Sequence, residues 1–121
     1  MTAAEALRGV CDAWEAGDPD AAASLFATDG VYEDPLYPAP LRGPDAIRAG
    51  LTDGMGAIED CRVTLDPVIE DGDRVLAVGV FASRLRDGGA RFDFPFAILV
   101  ELSDGRISRL AEYFDTRPLP A

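Results

Sequence analysis

The feature that most constrains the fold of this chain is a change of hydrophobic period near its middle. In the first half, apolar residues recur at the three- and four-residue spacing of amphipathic helices. In the second half, four segments rich in β-branched and aromatic residues are separated by "EDGD", "RDGG" and "SDG". Asp-Gly sequences favour tight turns between antiparallel strands. The second half therefore predicts a four-stranded antiparallel meander.

The first half predicts three helices and one short strand. "TAAEALRGVCDAWEAG" starts with capping-box spacing and ends at Gly17, where a C-terminal glycine belongs. A second helix is predicted through "AAASLFA", stopping before Gly30, and a third begins at "GPDAIRAGL". The short strand covers residues 31–33. Helices followed by a meander indicate one α+β domain over residues 1–121, with the helices packed on one face of a curved antiparallel sheet.

Composition limits the chemistry that this chain can perform. None of its 121 residues is His, Lys, Asn or Gln, and it has two cysteines. Serine–histidine and cysteine–histidine nucleophile systems, histidine-ligated metals and lysine Schiff bases are therefore excluded. Two cysteines are too few for a zinc site. Because the chain has no His or Lys, proton transfer would fall to Asp, Glu, Tyr or Cys. We also expect no metal and no cofactor.

Charge and hydropathy also limit the macromolecules and membranes with which the chain can associate. The net charge is −11, from 22 acidic and 11 basic residues, which repels nucleic acids and anionic membranes. No apolar run approaches the roughly 20 residues that span a bilayer, and the first residues lack the basic region of a signal peptide. We therefore expect a cytoplasmic protein. "VLAVGV" is apolar on both faces of a predicted strand, so we also expect a homodimer.

Two of the acids stand out as candidates for chemistry. Tyr32 and Asp34, in "VYEDPLYPAP", are two residues apart and project to one face of the short strand. Asp115 ends the last predicted strand and shares its parity with Tyr113. An acid on the apolar side of a strand is costly unless it is paired or functional, and burial there raises its pKa. The structural alternatives are an Asx turn for Asp34 and an arginine-paired strand end for Asp115.

The supply of aromatic residues is sufficient for a cavity between the helices and the sheet. Most aromatic side chains would belong to the core, and only some can line a pocket that accepts a small hydrophobic ligand. The candidates for its wall are Trp14, Tyr37, Phe81, Phe96 and Tyr113.

Three segments resemble the SnoaL-like and ketosteroid isomerase-like proteins of the nuclear transport factor 2-like superfamily. They are "WEAGDPDAAASLFATDGVYEDP", "LRGPDAIRAGL" and "SDGRISRLAEYFD", and the resemblance extends over nearly the whole chain. It implies a cystatin-like α+β barrel, in which a strongly curved sheet wraps three helices around a cone-shaped apolar pocket, and frequent dimers. The chain is also similar to limonene epoxide hydrolases.

The resemblance implies roles for some residues. Asp34 stands where ketosteroid isomerases carry their aspartate base, whereas the oxyanion-hole partners of those enzymes have no match. By similarity to limonene epoxide hydrolases, Tyr32 and Asp34 occupy the positions of a water-orienting Tyr and Asn, and Asp115 matches a closing aspartate. Arg84 or Arg91 would take the place of the central arginine of those enzymes.

Two functions remain open from the sequence. The first is a cofactor-independent enzyme that acts on a small hydrophobic metabolite by isomerisation, cyclisation, dehydration or epoxide opening. Asp34 and Asp115 would be its base and acid, and Tyr32 would bind a substrate oxygen. The second is a binding, accessory or dimerisation domain without catalysis. Carboxylates of Asp34 and Asp115 facing one apolar cavity would favour the enzyme.

Overall fold

A computed structural model describes residues 1–120 as three helices and one six-stranded sheet. The helices are α1 (Ala3–Ala16), α2 (Pro19–Ala23) and α3 (Pro44–Gly56). The strands are β1 (Phe26–Glu33), β2 (Leu41–Arg42), β3 (Ile58–Asp71), β4 (Arg74–Leu85), β5 (Arg91–Ser103) and β6 (Arg106–Tyr113). The predicted α+β class, with helices packed against a curved sheet, is confirmed.

The strand order is β2-β1-β6-β5-β4-β3. Strands β3 to β6 form the predicted antiparallel meander. Strand β1 adds to it by pairing in parallel with β6, and β2 pairs with β1 in antiparallel orientation. The C-terminal ends of β1 and β6 therefore lie side by side, although they are nearly 80 residues apart in the chain.

The predicted extent of the second helix is wrong. The helix ends at Ala23, and β1 begins at Phe26 rather than at residue 31. The Leu25 carbonyl accepts a hydrogen bond of 2.9 Å from the Ile107 amide, and Phe26 pairs with Ile107 and is buried. Sheet pairing and the burial of Phe26 together outweigh the helical propensity of this alanine-rich segment.

Helix α1 has the ends that its sequence predicts. Thr2 and Glu5 form both hydrogen bonds of a capping box, and Gly17 adopts the left-handed conformation that ends the helix. The apolar faces of α1 and α3 pack against the concave face of the sheet and form the core with it. Cys11 and Cys61 are both buried free thiols.

The opposite, convex face of the sheet carries exposed apolar side chains. They are between 41% and 59% exposed and come from three strands: Ile69, Leu76, Val78, Val80 and Tyr113. We call these five residues the outer patch. Within residues 1–120, no helix is long and apolar enough to cross a membrane.

Candidate active site

A cavity of about 500 Å³ lies between the helices and the concave face of the sheet. Its wall is mostly apolar and is dominated by aromatic side chains, which include Trp14, Phe81, Phe92, Phe94 and Phe114. Two acids, Asp34 and Glu112, also line it, together with Tyr32. The polar groups are thus gathered at the ends of β1 and β6 within an otherwise apolar cavity.

Strand β1 positions two of these groups by simple alternation. Tyr32 points inward and is 2% exposed, whereas Glu33 points to the other side and forms an ion pair with Arg109. Asp34 follows the strand and returns to the side of Tyr32, as the two-residue spacing predicted. The parallel register pairs Glu33 with Ala111, so the next residues along, Asp34 and Glu112, lie beside each other.

Hydrogen bonds join the three polar groups into a chain. The buried Tyr32 hydroxyl donates a hydrogen bond to Glu112 Oε1, and the carboxyl groups of Glu112 and Asp34 are hydrogen-bonded to each other. The Leu36 amide donates to Asp34 Oδ1 at 2.8 Å. The Asx turn considered for Asp34 is therefore present, and it holds the carboxylate in the cavity wall rather than removing it.

Burial decides where the proton in this chain resides. It raises the pKa of Glu112 well above its usual value, and the negative charge of Asp34 raises it further. Burial also raises the pKa of Asp34, but hydrogen bonds from Leu36 and Glu112 act against this effect. Glu112 is therefore the protonated partner and donates to Asp34, which carries the negative charge.

Glu112 is absent from the predicted site because of a bulge in β6. Ile107 pairs with Leu102 of β5 and Arg109 pairs with Glu101, the adjacent residue of β5. Ser108 therefore has no partner on β5 and forms the bulge. Ile107 faces the core before the bulge, and the even-numbered positions face inward after it. The two-residue spacing of Glu112 from the apolar Leu110 and Phe114 is the sequence signal that could have identified this acid.

The expectation that Asp34 and Asp115 face one cavity is wrong. Asp115 does not line the cavity, and its carboxylate accepts hydrogen bonds of 2.9 and 2.6 Å from Arg117. That contact lowers the pKa of Asp115. The arginine-paired strand end, considered as the alternative for Asp115, is what the structure has, because the bulge at Ser108 reverses the parity on which the prediction rested.

The predicted wall residues divide into two groups. Trp14 and Phe81 line the cavity. Tyr37 and Phe96 lie one layer further back: Tyr37 packs edge-on against Tyr32 and donates to the Gly50 carbonyl, and Phe96 packs against Trp14.

Tyr113 and the two arginines also lie away from the cavity. Tyr113 belongs to the outer patch and is 53% exposed. Like Asp115, it is an odd-numbered residue after the bulge at Ser108 and therefore points away from the cavity. Arg84 and Arg91 both pair with Asp60, at 3.8 and 3.0 Å, and neither lines the cavity. Among residues 1–120, no group of three or more Cys, Asp or Glu side chains is arranged to hold a metal ion.

A curved sheet that encloses helices and an apolar cavity defines the class of ketosteroid isomerase-like and nuclear transport factor 2-like folds. Within this class, the chain belongs to the SnoaL-like domain family, which it matches over residues 7–110. A comparison of the sequence with curated proteins finds no significant match.

Solved structures of this fold cover almost the whole chain. A protein of ketosteroid isomerase-like fold from Catenulispora acidiphila, in complex with trimethylamine, is 25% identical, with a TM-score of 0.86 over 98% of this chain and 91% of that one. A limonene epoxide hydrolase-like enzyme from M. tuberculosis is also 25% identical, with a TM-score of 0.79 over 97% and 85%. A Pseudomonas putida protein proposed to be a polyketide cyclase is 21% identical, with a TM-score of 0.76 over 98% and 95%.

Proposed function

We propose that the protein is a cofactor-independent acid–base enzyme for a small, largely apolar substrate. The observation that carries this proposal is the pair of carboxyl groups, Asp34 and Glu112, which lie side by side in the wall of one apolar cavity. Such a pair places a base and an acid within reach of one bound molecule. Glu112 takes the role that the sequence assigned to Asp115.

The pair supports enolisation of a ketone with all protons accounted for. Asp34 accepts a proton from the carbon next to the carbonyl, and Glu112 gives its proton to the carbonyl oxygen, which forms an enol. The Glu112 carboxylate that results keeps the hydrogen bond from Tyr32. Asp34 then gives its proton to a different carbon of the substrate, and Glu112 takes its proton back from the enol oxygen. This completes an isomerisation and returns both carboxyl groups to their starting states.

The same groups support the opening of an epoxide by water. Asp34 accepts a proton from water while the water oxygen attacks an epoxide carbon, the carbon–oxygen bond breaks, and Glu112 protonates the departing oxygen. Asp34 then returns its proton to Glu112 through their direct hydrogen bond. The 25% identical epoxide hydrolase supports this reaction type. The trimethylamine complex of the other relative supports a cavity that admits small organic molecules.

The test is turnover of a β,γ-unsaturated ketone and of a terpene epoxide by the wild type and two matched variants. Asp34→Asn removes the base with little change of shape and lowers turnover by about 10²–10⁴-fold. Asp115→Asn makes the same chemical change at an exposed acid outside the cavity, so its turnover stays within a few-fold of the wild type.

Two results would overturn the proposal. If Asp34→Asn turned over a substrate as well as Asp115→Asn does, Asp34 would not be the base. Binding of both probes in the cavity without turnover of either would favour a non-catalytic binding domain. The missing oxyanion-hole partners favour that second function, since less of the transition-state charge would be stabilised.

A further inference from the structure

We propose that this cavity recognises an organic cation, namely an ammonium group carried on a small apolar body. The proposal rests on the cavity used above, but not on catalysis. It names the class of ligand that the charge and the aromatic wall of the cavity select.

The charge inside the cavity is negative. Two carboxyl groups, Asp34 and Glu112, lie side by side in its wall. Burial raises the pKa of Glu112 well above its usual value, so the negative charge of the pair resides on Asp34. Among the described residues, no arginine lines the cavity. A cation brought into this apolar site is therefore stabilised by the acid pair, because the attraction is stronger there than in water.

The arginines nearest in sequence to the wall are bound elsewhere. Arg84 and Arg91 pair with Asp60, and Arg117 pairs with Asp115. Arg86 donates three hydrogen bonds to backbone carbonyls at the end of α3 and the start of β3, at 2.6 to 3.1 Å. An anionic ligand would thus meet the acid pair without a compensating positive side chain.

The aromatic wall adds a second source of attraction. Trp14 packs edge-on against Phe81, with ring centroids 5.9 Å apart, and Phe81 stacks on Phe94, with ring centroids 5.2 Å apart. Phe114 lies 4.5 Å from Phe94. Aromatic faces carry partial negative charge, and several of them around one site form a cage that attracts alkylammonium groups. The methyl groups of such a cation also suit an apolar wall, whereas a small hydrated metal ion does not.

The chain offers its own probe for this binding. Trp14 is the single tryptophan of the sequence and lines the cavity, so its fluorescence can be titrated with ligand. We would compare phenyltrimethylammonium with tert-butylbenzene, which has the same shape with carbon in place of the charged nitrogen, and with benzenesulfonate as an anion.

We expect phenyltrimethylammonium to bind the wild type roughly tenfold tighter than tert-butylbenzene, and benzenesulfonate to bind more weakly than both. Asp34→Asn removes the negative charge and lowers the affinity for the cation by roughly tenfold, while its affinity for tert-butylbenzene changes less. Asp115→Asn leaves all three affinities unchanged.

The proposal is overturned if tert-butylbenzene or benzenesulfonate binds the wild type at least as tightly as phenyltrimethylammonium. It is also overturned if Asp34→Asn binds the cation as tightly as the wild type. These titrations need no turnover, so they separate the two proposals. An enzyme that turns over a neutral ketone or epoxide through Asp34 without a preference for cations would keep the proposed function and lose this inference.

Discussion

At the residue scale, Glu112 is an acid that the fold keeps neutral. It is only 9% exposed, and both of its polar contacts, Tyr32 and Asp34, lie on the neighbouring strand or just after it. A buried carboxyl without such partners would cost several kcal/mol or unfold the site. The hydrogen-bond chain therefore stabilises the buried carboxyl group, and it also holds the proton that the proposed function requires inside the cavity.

This protonation has a consequence for stability that Glu112→Gln tests. The folded protein retains a proton on Glu112 that the unfolded chain releases above its ordinary pKa of 4.5. The folded state thus binds more protons than the unfolded state, and the free energy of unfolding falls as pH rises above about 5. Glutamine preserves the shape, can accept from Tyr32 and donate to Asp34, and does not titrate.

We therefore expect the stability advantage of the wild type over Glu112→Gln to be largest near pH 5 and to shrink toward pH 9, as measured by urea unfolding. Asp115→Asn is the control. Its pKa is lowered by Arg117, so it titrates below this range and its difference from the wild type stays constant. A Glu112→Gln difference that is constant across the range would mean that Glu112 is ionised in the folded protein.

At the element scale, the helices and the meander follow from local signals, whereas the site depends on non-local pairing. The capping box of α1 and the Asp-Gly turns are short-range features, so the sequence was sufficient for them. The parallel pairing of β1 with β6 joins residues nearly 80 positions apart. The bulge at Ser108 lies within the β5–β6 hairpin, where no Gly or Pro marks it in the sequence. Because of this one-residue bulge, Glu112 points into the cavity and Asp115 points away from it. The hydrophobic period of the sequence alone does not show where the bulge lies.

The curvature of the sheet also depends on one close approach between elements. Gly79 of β4 pairs with Leu65 of β3, just before the register of these strands shifts. A methyl group on Gly79 would overlap the Thr64 carbonyl oxygen. Only glycine allows β3 to bend this close to β4, and this bend helps to wrap the sheet around the helices that bound the cavity.

We expect Gly79→Ala to lower the free energy of unfolding by about 3 kcal/mol, since the overlap is with rigid backbone. The control is Gly56→Ala, at the end of α3, where the added methyl group meets open space. It should leave stability unchanged or raise it by less than about 1 kcal/mol. Urea unfolding of both variants measures the difference. Equal effects would show that the β3–β4 approach does not require glycine.

At the scale of the whole molecule, the two faces of the sheet have separate roles. The concave face encloses the core and the cavity, and the convex face presents the outer patch on β3, β4 and β6. Within residues 1–120, neither helices nor loops cover this patch. The net charge of −11 favours repulsion between molecules and so opposes non-specific association. A cluster of exposed apolar side chains on such a protein therefore indicates a specific contact surface.

We propose that a second copy of the chain covers the outer patch through a two-fold symmetric contact. The wild type should then sediment with twice the chain mass of 12.9 kDa. Val78→Arg places a charge in the patch and should yield monomers, whereas Thr52→Arg, an exposed change on α3, should remain dimeric. Because the patch and the cavity lie on opposite faces, Val78→Arg should still bind ligand in the cavity. Monomeric wild type, or a dimer that tolerates Val78→Arg, would contradict this arrangement.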